Sequence, residues 1–166
     1  MPLSTLLRAS QFSEADFAAL DPSALRVKVM LPEGFGLDAA ASSLALEIAS
    51  RDNTYSSAFK LEQEAKESGV TPGGMYFSVA QGATIWTLKL DAESQEKFKQ
   101  LQRYLDKNRA NDVNLRVMPR LSAAPTQAES VRVWIDLRLS PGKDWIRLAD
   151  GTDLSLDAYR AAHPAR

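Results

Sequence analysis

From Val131 to Ser140 the chain alternates without a break. Val131, Val133, Ile135, Leu137 and Leu139 fall on one side, and Arg132, Trp134, Asp136, Arg138 and Ser140 on the other. Side chains of a strand switch faces at every residue, and no helical face collects those apolar positions. The pattern predicts a strand with one face on a core and the other against water or a lightly polar cover. Leu25 to Leu31 repeats it, with Leu25, Val27, Val29 and Leu31 against Arg26, Lys28 and Met30,. Pro32-Glu33-Gly34 then reads as a turn. Val113 to Met118 places Val113, Leu115 and Val117 together before Pro119. Met75–Ala80 and Ala83–Leu90 read as two strands after the break at Thr71-Pro72-Gly73-Gly74, with Gln81-Gly82 as a turn or as a bulge in one long strand,. In the second of these Trp86 joins Leu88 and Leu90 on the apolar side. Past a polar loop at 122–130 and the main strand, Pro141-Gly142-Lys143-Asp144 is a turn, and Trp145-Ile146-Arg147-Leu148 completes a hairpin,. Asp150-Gly151 predicts a further turn, with a last short strand near Leu154 and Leu156.

Two stretches carry both periods. In 37–50, Leu44, Leu46 and Ile48 alternate as in a strand, while Leu37, Ala41, Leu44 and Ile48 fit a helix rich in alanine,. The turn-like Ser and Asn on either side favour a strand over 43–49. In 55–68 the Lys, Glu, Gln and Ala content is helical and Gly69 would suit a helix stop. Phe59 and Leu61 nevertheless alternate with Lys60 and Glu62, and the surrounding run of short strands favours an exposed strand.

Two helices stand out. Ser13 is a good N-cap for a short helix near 14–20, with Phe12 and Phe17 at the spacing of a hydrophobic staple, and Asp21-Pro22 ends it,. A longer helix near 92–109 has Asp91 as cap, acids early, Lys107 and Arg109 late, and a stripe of Phe98, Leu101 and Leu105 with Tyr104 beside it,. That stripe should lie on a sheet. Several short strands with one helical insert predict a mainly β (α+β) fold, an antiparallel β-sandwich or curved sheet carrying the packed helix. Residues 1–11 read as a flexible lead, 12–157 as one β-rich domain and 158–166 as a frayed tail.

Composition narrows the function classes. Twenty basic residues balance 21 acidic ones for a net charge of −1, which argues against a nucleic-acid binder or a polybasic membrane-surface module. The absence of cysteine excludes disulfides, zinc ribbons and thiol catalysis,. No apolar run approaches the length of a transmembrane segment. The start, Met-Pro-Leu-Ser-Thr-Leu-Leu-Arg, is too short and too polar for a signal peptide,. A cytoplasmic protein fits that start, and so does an exported one whose leader, with any lipid-bearing Cys, has been removed.

Chemistry-bearing residues are sparse. The single histidine, His163, stands near the end, where a frayed tail would not hold a general base,. Asp150, Thr152 and Asp153, with Asp157 beyond, form the most oxygen-rich stretch, but it lacks the spacing and closing glutamate of a calcium loop, and a turn explains it. Gly73-Gly74 and Gly34-Phe35-Gly36 match no phosphate-cradling loop. Glu33, Glu47, Glu62, Glu64, Asp136 and Asp144 are the acids from which a two-carboxylate hydrolase would draw. Lys97, Lys99, Arg103, Lys107 and Arg109 are interspersed with acids, as on a solvated helix face. Trp134 on the polar side of the main strand, with Arg132 and Arg138, has the composition of an interface hot spot, and equally that of a covered second face with Arg stems packed on the ring. Trp86 and Trp145 fall in apolar runs and read as core.

The sheet-rich pattern resembles the soluble domains of small exported lipoproteins, a likeness of overall pattern that no motif carries. It implies a non-enzymatic binding or assembly module of the bacterial cell envelope, periplasmic or anchored to the outer membrane and facing the periplasm. The implied partner is another protein, with neither nucleic acid nor cofactor, and Trp134, Arg132 and Arg138 are its candidate binding patch. A carboxylate-dependent hydrolase and a carrier of an apolar ligand are the alternative functions, and the cytoplasm is the alternative compartment.

Overall fold

A computed structural model describes residues 5–7, 14–49, 54–71, 81–107 and 112–163. The order of elements is β1 (Thr5–Leu7), α1 (Glu14–Ala19), β2 (Arg26–Pro32), β3 (Gly36–Leu37), β4 (Ser43–Ala49), β5 (Thr54–Val70), β6 (Gly82–Leu90), α2 (Ala92–Lys107), β7 (Asp112–Met118), β8 (Leu121–Ala123), β9 (Ser130–Arg138), β10 (Ile146–Ser155) and α3 (Asp157–Ala162). Eight strands form one sheet in the order β1-β7-β4-β5-β6-β2-β9-β10, every pair antiparallel. The fold is mainly β, and of the two architectures the alternation allowed, it is the curved sheet: one layer curled into a half-barrel.

The curl depends on β5. At 17 residues it is too long for a single neighbour. Thr54–Lys60 pairs with β4, and Leu61–Val70 pairs with β6. A register shift between Gln63 and Ala65 marks a bulge, and a bulge bends its strand and sharpens the twist. One strand therefore belongs to two half-sheets that face different ways. The curl continues until β1 and β10, the outer strands, approach each other.

The concave face holds the core. Alternate residues of β2, β4, β7 and β9 are buried there, among them Val27, Val29, Leu44, Leu46, Leu115, Val117, Val133 and Ile135. α2 lays its stripe into this hollow. Phe98 is fully buried, with its ring 5.1 Å from Phe59 of β5 and 5.1 Å from Phe17 of α1. Asp91 caps α2 by accepting the Ser94 amide at 2.7 Å,. The Gln102 amide donates to the carbonyls of Phe17 and Leu20 at 2.9 and 2.6 Å, which satisfies carbonyls that a helix end leaves without intrahelical partners.

Both ambiguous stretches are strands, β4 and β5. Five expectations need correction. Asp150-Gly151 is not a hairpin turn: β10 runs through it, and the register slips between Asp150 and Thr152. Gly151, at φ +71°, is the bulge residue. The same left-handed conformation serves a tight turn and a bulge, so the dipeptide fits both. Trp145 precedes β10 and lies outside the core cluster, half-buried between cations. Where the expected polar loop begins, Leu121–Ala123 pairs with Gly36–Leu37, because Leu121 and Leu37 are buried together on the core. Residues 157–162 form α3 rather than a frayed tail: Leu156 is buried, and Arg160 donates to the carbonyls of Pro125, Thr126 and Ala128. Thr5–Leu7 of the expected lead pairs with β7. Phe12, Ser13, Arg109, Gly73-Gly74 and the strand expected over Met75–Ala80 lie outside the described residues.

Candidate functional site

The convex face carries the expected patch, and the structure takes it apart. Trp134 is buried at 6% exposure, and its indole packs on the bulge glycine, so that a Cβ at 151 would stand 3.2 Å from the ring. Arg132 is exposed. Arg138 turns to Trp145 instead: its guanidinium lies 4.9 Å from that ring centre and the Lys28 ammonium 4.4 Å from it. Asp136 sits in register between Lys28 and Arg147 and binds the Arg147 guanidinium with both carboxylate oxygens, while Asp150 takes a further N–H at 2.8 Å. The hydrogen bond that Arg147 donates to Asp136, then the charge of Asp136 and the contacts of Asp150, raise the Arg147 pKa above its ordinary value, and desolvation opposes them. This face is a lattice of cation, aromatic ring and carboxylate, in which the buried Arg138 Nε has no hydrogen-bond partner among the described residues.

The candidate acids are dispersed. Glu64 pairs with Arg26 at 2.7 Å, Glu47 with Arg116 at 3.6 Å and Glu62 with Lys89 at 3.7 Å. Glu33 lies against Gly82, and Asp144 is exposed in the hairpin turn. Among the described residues no three His, Asp or Glu side chains stand together as metal ligands. His163 follows α3 on the surface, stacked on Tyr159 at 4.4 Å.

Side chains converge on open space in two places: Ala18 of α1 with Lys99, Gln102 and Arg103 of α2, and, with the aromatic lining, α2 with the first half of β5. After Leu90 the chain turns at Asp91 straight into α2, so the helix runs back along the side of β5 that β6 leaves uncovered. The Asp91 amide donates to the Lys60 carbonyl at 3.2 Å, the Ser94 hydroxyl accepts the Lys60 amide at 2.8 Å, and the Lys97 ammonium donates to the Ala58 carbonyl at 3.0 Å. Beyond Lys97 helix and strand separate. Between them lies a groove of about 340 Å³ lined by Tyr55, Ser57, Lys97, Gln100, Leu101 and Tyr104. Tyr55 and Tyr104 stack across it with ring centres 6.2 Å apart. Each remains more than half exposed, at 51% and 54%. The volume falls at the lower end of ordinary ligand pockets. Lys97 also lies over the Phe59 ring, 5.4 Å from its centre, so its charge is held against β5 at the groove.

The alternation of β5 and the stripe of α2 are both visible in the sequence, but their meeting is not. Tyr104 beside the Leu101–Leu105 stripe, and Tyr55 opening a strand, are aromatics off the buried positions. That is the one local signal for them.

The chain matches no protein-family model, no curated protein and no solved structure.

Proposed function

We propose that this protein is a non-enzymatic binding module that recognises another protein through the groove between α2 and β5. The observation that carries the reading is the stacked, half-exposed pair Tyr55 and Tyr104 at a cavity that an ammonium group also lines. Tyrosine offers a large, amphipathic contact surface with little rotamer entropy to lose, which is why it is enriched where proteins bind proteins. The distribution of acids favours binding over hydrolysis, because Glu47, Glu62, Glu64 and Asp136 each face a cation of their own. The near-zero net charge favours a protein partner over a polyanion,.

A photo-crosslinking amino acid placed at Gln100, in the full chain in its own cells, tests the reading. A discrete protein adduct is expected, lost when Tyr55 and Tyr104 are both changed to Ala and not formed from the same probe at Arg132. No adduct, or one indifferent to the tyrosines, overturns it. The envelope as compartment belongs to the proposal and rests on the sheet-rich pattern. Cell fractionation decides it, with a purely cytosolic protein ending that part.

A further inference from the structure

We infer that the partner enters the groove as an extended, acidic peptide and adds to β5 as a further strand along Thr54–Ala58. This rests on the groove reading and specifies its ligand. In an antiparallel pair, both main-chain groups of alternate residues point away from the partner strand. Lys60 directs both of its groups toward α2, so the outward set on this side is Lys60, Ala58, Ser56 and Thr54. α2 satisfies Lys60 and the Ala58 carbonyl, and nothing among the described residues takes up the Ala58 amide or the amides and carbonyls of Ser56 and Thr54. These groups form a strip of sheet edge beside the groove.

The side chains point the same way. Native sheets blunt open edges with charge, proline or bulges. The second half of β5, which has no strand on its other side among the described residues, carries the bulge and Glu62, Glu64, Lys66 and Glu67. The first half has no such protection: Thr54-Tyr55-Ser56-Ser57-Ala58 contains neither charge nor proline. One strand thus guards one edge and, among the described residues, leaves the other open where the groove lies. Main-chain bonds of an added strand supply affinity, and pockets for alternate side chains supply selectivity. Here the alternate side chains would meet Tyr55 and Tyr104. Among the described residues that line it, the groove has a cation, Lys97, and no acid. An ammonium has three donors, and Lys97 gives one to Ala58, so a peptide carboxylate is the group that complements it.

The test selects binders from a displayed library of random heptapeptides on the full chain, then measures the best synthetic peptide by titration and amide hydrogen exchange. The expected peptides are acidic. They protect the Ser56 and Ala58 amides and bind about tenfold more weakly to Lys97→Gln, the scale of one charge-assisted hydrogen bond. Ser56→Pro, which removes an outward amide that β4 does not use, is expected to bind about tenfold more weakly with an unchanged circular dichroism spectrum. If that variant misfolds, amide protection in the wild-type chain decides alone. Peptides that depend on Tyr104 yet leave Ser56 and Ala58 unprotected overturn strand addition while sparing the groove reading. Basic or charge-indifferent peptides overturn the acidic partner. Absence of any peptide dependent on Tyr104 overturns the inference and the groove reading together.

Discussion

Phe98→Ala probes the contact that fixes α2 in the hollow of the sheet. The Phe98 side chain has no exposed surface and touches a ring on each side, Phe17 of α1 and Phe59 of β5, both at 5.1 Å. Transfer of the lost ring accounts for about 2–3 kcal/mol. The walls of the resulting cavity belong to three elements and relax only in part, which raises the expected loss to about 3–5 kcal/mol. With a slope of about 2 kcal/mol per molar of urea, the unfolding midpoint should fall by about 1.5–2.5 M. Chemical denaturation followed by near-UV circular dichroism reads this directly. Tyr104→Ala, in the same helix but more than half exposed, serves as the reference and should change stability by no more than about 1 kcal/mol,. A loss below about 1 kcal/mol for Phe98→Ala, or equal losses for both variants, would show that α2 is not seated by this ring. The groove beside it would then have no fixed wall.

Other expectations follow from single contacts. Gly151→Ala places a side chain at φ +71° and against the Trp134 indole; it should cost about 1–2 kcal/mol in thermal unfolding, and an unchanged melting temperature would sink the bulge assignment. Asp136→Asn should cost no more than about 1 kcal/mol, because the pair with Arg147 is open to solvent, with side chains 22% and 44% exposed,; the loss should shrink in high salt, and a salt-independent loss would refute the surface reading. Hydrogen bonds from the hydroxyl and then the amide of Ser23 hold the Asp21 carboxyl below its ordinary value of 3.8. Its contribution to stability is therefore complete above the ordinary carboxylate range and is lost as the pH falls through the lowered value. An NMR titration should find Asp21 ionising at higher pH in Ser23→Ala than in the native chain, and identical curves would remove the hydroxyl as the cause.

What the sequence disclosed follows from which forces are local. β2, β6, β7 and β9 were legible because each buries one face, so burial writes a period of two into the chain. β4 and the first half of β5 carried two periods, and their mutual pairing resolved them. Composition in β5 pulls toward a helix after Leu61, but those polar residues guard an edge, and edge protection leaves the same signature as a solvated helix. Asp150-Gly151 announced a left-handed residue without saying whether the chain reverses or continues. Trp134 was legible as an oddity, with its cover supplied by the glycine of the neighbouring strand. Trp145 and the frayed-tail expectation failed because their partners, Lys28 and Arg138 in one case and the carbonyls near Pro125 in the other, are brought in by tertiary contacts. The groove was the least legible feature. Tyr55 and Tyr104 come from elements far apart in the chain, and α2 aligns them only because Asp91 starts the helix against the edge of β5.

That open edge is the feature on which the account turns, and hydrogen exchange of the free protein measures it without any ligand. The amides of Tyr55, Ser57 and Phe59 face β4 and should exchange slowly, while those of Thr54, Ser56 and Ala58 should exchange orders of magnitude faster, near the rates of an unpaired chain. Uniform protection from 54 to 59, or protection of the opposite set, would contradict the account, because the edge assigned to a partner would already be occupied.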